Sequence, residues 1–382
     1  MKLIRRDIDR QEIKSRIDSY PVTAILGSRQ CGKTTIAQEF RVDHYFDLEN
    51  PRDLVRLEQP QLALEDLSGL IVIDEIQRMP DIFPLIRYLV DNNPHQKFLI
   101  LGSASRDLIR QSSETLAGRI SYYYLGGLRI SDVGAENIKK LWLRGGLPPS
   151  VLAPSEVASI RWREDYITTF LERDIPQLGI SIASQSLRRF WTMLSHYHGQ
   201  IMNYSEIGRS FGSSDMTVRN YSEILEGTFM VRVLQPWYVN IRKRLVKRPK
   251  IYIRDSGIFH SLLSIENFDQ LLSHNKLGAS WEGFALECVS GSIAKRNEEL
   301  YFWGTHAGAE IDLFWQSRGK NWGIEFKYVD APRPTKSMKT AIQDLDLEHL
   351  WVVYPGGSEY RLSESITAMP LAKLPSVWIY PK

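Results

Sequence analysis

The chain has 382 residues, 43% hydrophobic and 24% charged, a balance that excludes wholesale disorder and is long enough for two or three domains. A formal net charge of +3 permits contact with nucleic acid without requiring it. The two cysteines, Cys31 and Cys288, cannot build a disulfide framework or a zinc cluster, no run approaches the roughly 20 apolar residues of a membrane span, and MKLIRRDIDRQEIK is not a signal peptide; a cytoplasmic setting is expected.

From residue 22 to 130, short apolar strands alternate with helical segments, which predicts a parallel sheet wrapped by helices. The apolar run Val22–Leu26 leads into Gly27-Ser28-Arg29-Gln30-Cys31-Gly32-Lys33-Thr34, and a helix is predicted over Thr35–Phe40. This is the GxxxxGK[ST] pattern between a strand and a helix. Its glycines let consecutive backbone N–H groups turn toward phosphates, and the helix N-terminus adds its positive end. The stretch from Gly27 to Thr35 is thus a candidate nucleotide cradle, with Lys33 directed at the β- and γ-phosphates and Thr34 at Mg²⁺. The bland alternative is a glycine turn without a ligand.

Leu70–Ile73 is a second apolar strand, ending in Asp74-Glu75. Standing alone, such a pair would read as a turn. Following a P-loop, Asp74 reads as the Walker B carboxylate that holds Mg²⁺ through water, and Glu75 as the general base. A third strand, Phe98–Leu101, ends in Gly102-Ser103. Ser103 suits a sensor of the γ-phosphate or the attacking water, and equally an N-cap for a helix at Arg106–Gln111. Arg119 is a candidate arginine finger or sensor arginine, from a neighbouring subunit or its own, or else a solvated surface residue; oligomeric state is left open. No Asn-Lys-x-Asp follows a strand, which favours ATP over GTP. The Gly/Pro-rich RGGLPPS at 144–150 closes this section.

The middle segment is mainly helical, with a strand-like stretch at 229–239. Helices are predicted at Ser205–Phe211 and Asp215–Leu225 around Gly212-Ser213-Ser214, the second capped by Ser214 or Asp215. Val218, Tyr221, Ile224 and Leu225 share one face, leaving Thr217, Arg219 and Asn220 outward, as in a helix-turn-helix. The basic run Arg242–Lys250 follows, where a wing would meet DNA phosphates. Glu223 and Glu226 weigh against DNA, and a helical pair packed on the ATPase as a lid is the competing reading.

Further on come a helix from about 278 and strands at 299–303, 309–315 and 322–327, a small α/β arrangement. Period-two alternation puts Glu310 and Asp312 on one face, and likewise Glu325 and Lys327; a hairpin turn at Ser317–Asn321 would bring the pairs together. Carboxylates and a lysine so arranged can bind Mg²⁺ and activate water against a phosphodiester. A hairpin with solvated charges is the alternative.

Taken in order, GSRQCGKTT, LIVIDEIQ, LILGSAS, LAGRI, RGGLP, YITTFLERDI and KRPKIYIRDSGI span most of the chain. On these motifs it resembles the bacterial and archaeal AAA-type ATPases that carry a C-terminal domain of unknown function. The resemblance implies an α/β fold: an ASCE/AAA-type P-loop NTPase parallel-sheet domain over 1–150, a helical linker and winged-helix-like domain over 151–270, and a PD-(D/E)XK nuclease-like domain over 271–382. It also implies that Asp312, Glu325 and Lys327 form the nuclease-type core, with Glu282 of Trp281-Glu282-Gly283-Phe284 as that fold's helical carboxylate and a metal ligand beside Asp312 and Glu325. Two functions follow: an ATPase that gates a metal-dependent nuclease on nucleic acid, or an ATP-driven switch whose C-terminal domain only binds. His196, His198 and His306 receive no role.

Overall fold

Five short runs, Val22–Leu26 (β1), His44–Asp47 (β2), Gly69–Asp74 (β3), Gln96–Gly102 (β4) and Ile120–Tyr124 (β5), build one sheet in the computed structural model, which describes residues 4–103, 112–238, 245–293 and 299–373. The order is β2-β3-β4-β1-β5 and every pairing is parallel. Both faces are covered, as parallel sheets require. Ile25, Val72, Leu99 and Leu101 point into one core, while Ala24, Ile71, Ile73 and Ile100 point into the other, following the strand's period of two. Because β4 lies between β1 and β3, the residue leaving β4, Ser103, emerges between the ends of those two strands.

The helix Glu156–Thr169 of the middle segment runs into a π-helical turn, Phe170–Asp174. Phe170 and Leu171 stay buried in the core that receives Ile25, while Asp174 turns toward the P-loop. Then come the helix Ser184–His196, Gln200–Ile201 (β6), helices Tyr204–Phe211 and Asp215–Gly227, and Val231–Pro236 (β7). The helical pair expected here is present, with Val218 and Leu225 buried and Tyr221 and Ile224 packed beside them. Ser214 caps the second helix, its Oγ accepting from Thr217 N at 3.2 Å.

Lys250–Ile253 (β8), Tyr301–Gly304 (β9), Glu310–Ser317 (β10), Lys320–Phe326 (β11), Leu347–Tyr354 (β12), Tyr360–Ser363 (β13) and Ile366–Pro370 (β14) complete a nine-stranded sheet with β6 and β7. Its order is β13-β14-β12-β11-β10-β9-β7-β8-β6. The β7–β9 pairing, Gln235 to Tyr301 and Pro236 to Phe302, carries this sheet across the boundary expected at residue 270. The hairpin between β10 and β11 turns on Arg318 and Gly319, with φ of 53° and 73°, matching the twist a two-residue loop needs. The helix Leu277–Ser292 packs on β11, and Lys336–Leu345 packs on β10 and β12. Among the described residues no helix is long and apolar enough to cross a membrane.

Candidate nucleotide site and a second charged cluster

The P-loop leaves β1 at Gly27, where a Cβ would lie 2.2 Å from the Leu125 carbonyl oxygen, and enters its helix through Gly32 at φ +103°. Gly27 and Gly32 therefore bracket Ser28, Arg29, Gln30 and the buried Cys31, and the helix Lys33–Ala37 starts with its first-turn N–H groups unclaimed by the helix itself. Thr35 lies in that first turn and is exposed. Arg6 braces the loop from outside, donating to the carbonyls of Cys31 at 2.9 Å, Gly126 at 3.0 Å and Gly127 at 3.1 Å.

The Lys33 ammonium donates to the carbonyls of Gly27 at 3.0 Å and Ser28 at 2.9 Å. Thr34 Oγ1 donates to Asp74 Oδ2 at 2.7 Å, and Tyr45 OH reaches the same oxygen at 2.7 Å. Burial, followed by the hydrogen bond and charge of Asp74, raises the Tyr45 phenol well beyond its ordinary range, so it stays a donor. The hydroxyl and carboxylate that would flank Mg²⁺ are thus held together, and this donor set suits a hard cation beside phosphate.

Glu75 follows at φ 56°, and its carboxylate accepts from Gln77 Nε2, which also donates to Ser103 Oγ at 3.0 Å. Gln77 thereby ties the candidate base to the candidate sensor. The alternative for Ser103, capping a helix at 106–111, concerns residues outside those described. A cavity of about 330 Å³ opens between Arg29, Gln77 and Ser103 on one side and Phe170, Asp174 and Met230 on the other. Arg29 Nη1 lies 3.0 Å from Asp174 Oδ1, and its Nη2 donates to Gln177 at 3.0 Å, so the π-helical turn roofs the P-loop. Burial pushes Asp174 up to about 6 against the pull of Arg29 and Arg173. A larger cavity, about 970 Å³, borders β5 and Arg129, and none of Lys33, Thr34, Asp74 or Glu75 lines it.

Arg119 stands elsewhere. Its carbonyl accepts from Val22 N at 3.1 Å, and its guanidinium grips Asp91 at 2.5 and 2.9 Å. Val22 begins β1 and the P-loop follows its end, so Arg119 sits at the opposite end of that strand from the cradle. Sequence reasoning also passed over Tyr45, Gln77, Asp174 and Arg6. A charged ERD inside an apolar helical run was the one available signal, for Asp174.

In the second sheet, Asp312 on β10 and Glu325 on β11 stand across from each other, one step beyond the pair Leu313–Ile324. Asp312 Oδ2 accepts from Phe326 N at 2.9 Å, and Glu325 Oε1 is 2.6 Å from Lys327 Nζ. Glu282, from the helix Leu277–Ser292, joins them and accepts from Tyr252 OH at 2.6 Å. The expected carboxylates thus converge, but on a lysine. Lys250 Nζ lies 3.2 Å from Glu282 Oε1 and 3.2 Å from Asp312 Oδ1, and it also pairs with Glu310.

Lys250 was expected to close a basic run placed to meet DNA phosphates; at 2% exposure it cannot meet one. Of that run, Lys247 and Arg248 are exposed, and residues 242–244 lie outside the described set. Burial and the Asp312 charge push Glu282 up to about 7 and Glu325 up to about 8. Burial opposes the charged forms of Lys250 and Lys327, but the surrounding carboxylates outweigh it and hold both above the usual lysine value. Among the described residues no three His, Cys, Asp or Glu side chains are arranged to hold a metal ion. In this arrangement the second cluster does not fit Mg²⁺.

A model described as an AAA domain matches residues 19–133, and two domains of unknown function, DUF8612 and DUF4143, match 135–269 and 277–374. The Walker-type ATPase PABY2304 of Pyrococcus abyssi is similar at a TM-score of 0.46 and 14% identity, over 68% of this chain and 96% of that one. The replication initiator DnaA bound to AMPPCP and single-stranded DNA follows at a TM-score of 0.29 and 13% identity, over 59% and 89%. The uncharacterized protein Rv2008c of Mycobacterium tuberculosis (strain ATCC 25618 / H37Rv) and Mb2031c of Mycobacterium bovis (strain ATCC BAA-935 / AF2122/97) are each 46% identical over 372 residues, 96% of this chain and 84% of theirs. The chain belongs to the family of these two mycobacterial proteins, and its N-terminal third is an AAA-type P-loop ATPase domain.

Proposed function

We propose that the chain binds ATP with Mg²⁺ at the P-loop, hydrolyses it, and passes nucleotide occupancy through the roofing π-helical turn to its C-terminal half, as an ATP-driven switch. The observation that carries this is the convergence of Thr34, Asp74, Glu75, Gln77 and Ser103 at the ends of β1, β3 and β4. In this reading Lys33 exchanges its two carbonyl partners for phosphate oxygens. Thr34 and Asp74 would hold Mg²⁺, which would supply charge neutralisation at the phosphates. Glu75 takes a proton from the attacking water, with Gln77 fixing its carboxylate and Ser103 facing the γ-phosphate.

The middle segment is read as a winged helix, supported by its order of helix, strand, two helices and two strands over 184–253. Nucleic-acid contact would then fall to Lys247, Arg248 and residues 242–244. The C-terminal part is read as PD-(D/E)XK-like, supported by Asp312, Glu325 and Lys327 on adjoining strands with Glu282 on the packing helix. A metal-dependent nuclease is the second reading of those same residues, and it would need Lys250 to leave the carboxylates before a metal could enter.

The test is ATP turnover by the purified chain, with cleavage of DNA and RNA followed in parallel. Lys33→Ala and Asp74→Asn should abolish phosphate release; unchanged turnover in Lys33→Ala would sink the ATPase assignment. Cleavage lost in Lys327→Ala would establish the nuclease.

A further inference from the structure

We propose that Lys250 is the resident cation of the C-terminal carboxylate cluster, standing where a divalent metal ion would, and that the cluster takes up Mn²⁺ or Mg²⁺ once Lys250 is gone. The proposal deepens the PD-(D/E)XK-like reading and rests on it for the kind of ligand the carboxylates would take.

Lys250 is a built part of the site. It opens β8, which is paired to Ile201 of β6 on one side and Leu234 of β7 on the other, so its register is set by two neighbours. Ile251 and Ile253 from the same strand are buried in the core beneath the middle helices, while Lys250 and Tyr252 face the cluster. The ammonium has three N–H donors, and it meets three carboxylates: Glu282 from a helix, and Glu310 and Asp312 from β10. Its capacity is used up on the oxygens a metal would bind.

A second observation points to a cation site in its own right. Glu325 is 6% exposed, and its Oε2 is buried without a partner, beside Lys327 on Oε1. Asp312 and Lys250 both act on Glu325 electrostatically, so the orphan oxygen belongs to the same cluster. Four carboxylates (Glu282, Glu310, Asp312, Glu325) thus share two ammonium groups, Lys250 and Lys327. That is donor chemistry for a hard divalent ion, with one of its ligand oxygens still unclaimed.

The two cations cannot share the site. Mg²⁺ binds oxygen at about 2.1 Å, so an ion on Asp312 Oδ1 would lie no more than about 5 Å from Lys250 Nζ, which is 3.2 Å from that oxygen. Lys250 Nζ already meets Glu282, Glu310 and Asp312, so an ion held by those oxygens would have to take the space the ammonium fills. Metal and lysine are therefore alternatives, and with Lys250 seated metal-dependent cleavage is off.

The experiment uses the full chain without nucleotide, in an Asp74→Asn background that removes the carboxylate placed to hold metal at the P-loop. Free Mn²⁺ is followed by electron paramagnetic resonance, and melting temperature is recorded with and without Mn²⁺. The parent should bind no Mn²⁺ at the cluster. Lys250→Met should melt lower than the parent, take up one Mn²⁺ per chain, and regain several degrees when Mn²⁺ is added. Adding Asp312→Asn should abolish both the uptake and the regain. Should Lys250→Met not fold, Lys250→Gln replaces it with the same outcomes. Mn²⁺ bound by the parent in an Asp312-dependent way overturns the proposal, as does a folded Lys250 variant that binds none. Neither result depends on whether the P-loop hydrolyses ATP.

Discussion

Arg29 in the P-loop and Asp174 in the π-helical turn form an ion pair of 3.0 Å, which joins the nucleotide cradle to the middle segment. Asp174 is 6% exposed, and Glu49 lies 3.4 Å from the same guanidinium on the other side. A phosphate arriving at the loop would compete for Arg29, so the pair is a point where occupancy can be felt at a distance. Asp174→Asn is expected to raise amide hydrogen exchange in residues 170–178 and in the P-loop together, leaving β12 unchanged. Exchange mass spectrometry reads both regions at once; a rise in one without the other would break the link.

Glu75 and Gln77 should separate in their kinetics. Glu75→Gln removes the proton acceptor and should cut turnover by about 10²–10⁴-fold with ATP binding retained. Gln77→Ala leaves the base in place but unanchored, so kcat should fall by a smaller factor, with nucleotide affinity unmoved. Equilibrium binding of a fluorescent ATP analogue, set against single-turnover hydrolysis, distinguishes the two.

Arg119 lies at the opposite end of β1 from the cradle and is tied to Asp91. Arg119→Ala should leave turnover of dilute, monomeric protein unchanged and its melting temperature close to the parent's, because exposed ion pairs add little to stability. A loss that grows with protein concentration would identify it as a finger acting on a neighbouring copy.

Glu287 sits between Arg232, at 2.5 Å, and Arg254, at 3.3 Å. Burial alone would raise its carboxyl, but the two guanidinium groups outweigh it and bring the group down to about 2. A depressed carboxylate stabilises the fold above its ordinary value of 4.5, and that contribution is lost as pH falls from there toward 2. Glu287→Gln should flatten the stability profile in that window. At neutral pH it should cost about 3–5 kcal/mol, because it removes the carboxylate shared by two arginines. Urea unfolding midpoints measured from pH 7 downward test both parts.

Three strands of the five-strand sheet, β1, β3 and β4, were legible because each is an apolar run ended by a chemically marked residue, Gly27, Asp74 or Ser103; β2 and β5, which read HYFD and ISYYY, are rich in polar and tyrosine side chains and carry no such mark. The hairpin carrying Asp312 and Glu325 was legible from alternation alone. The partners of those residues were not. Arg6, Gln77 and Asp174 act across long sequence separations, and nothing local to an arginine or a glutamine announces which loop it will brace. Lys250 misled for a related reason. Six basic residues among the nine of Arg242–Lys250 suggest an exposed stretch, yet the last of them starts a strand buried on both faces. A motif arginine likewise carries no record of which end of the sheet it will occupy: Arg119 stands just before β5, beside the start of β1.

The pairing of β7 with β9 bears on how such chains can recombine. A break at residue 270 would strip Tyr301 and Phe302 from β7 and part Lys250 from Glu310 and Asp312. A chimera with a relative should therefore keep β7 through β14, residues 231–370, as one inherited block. Shuffling inside that block would leave an open sheet edge on one fragment and unneutralised acid on the other.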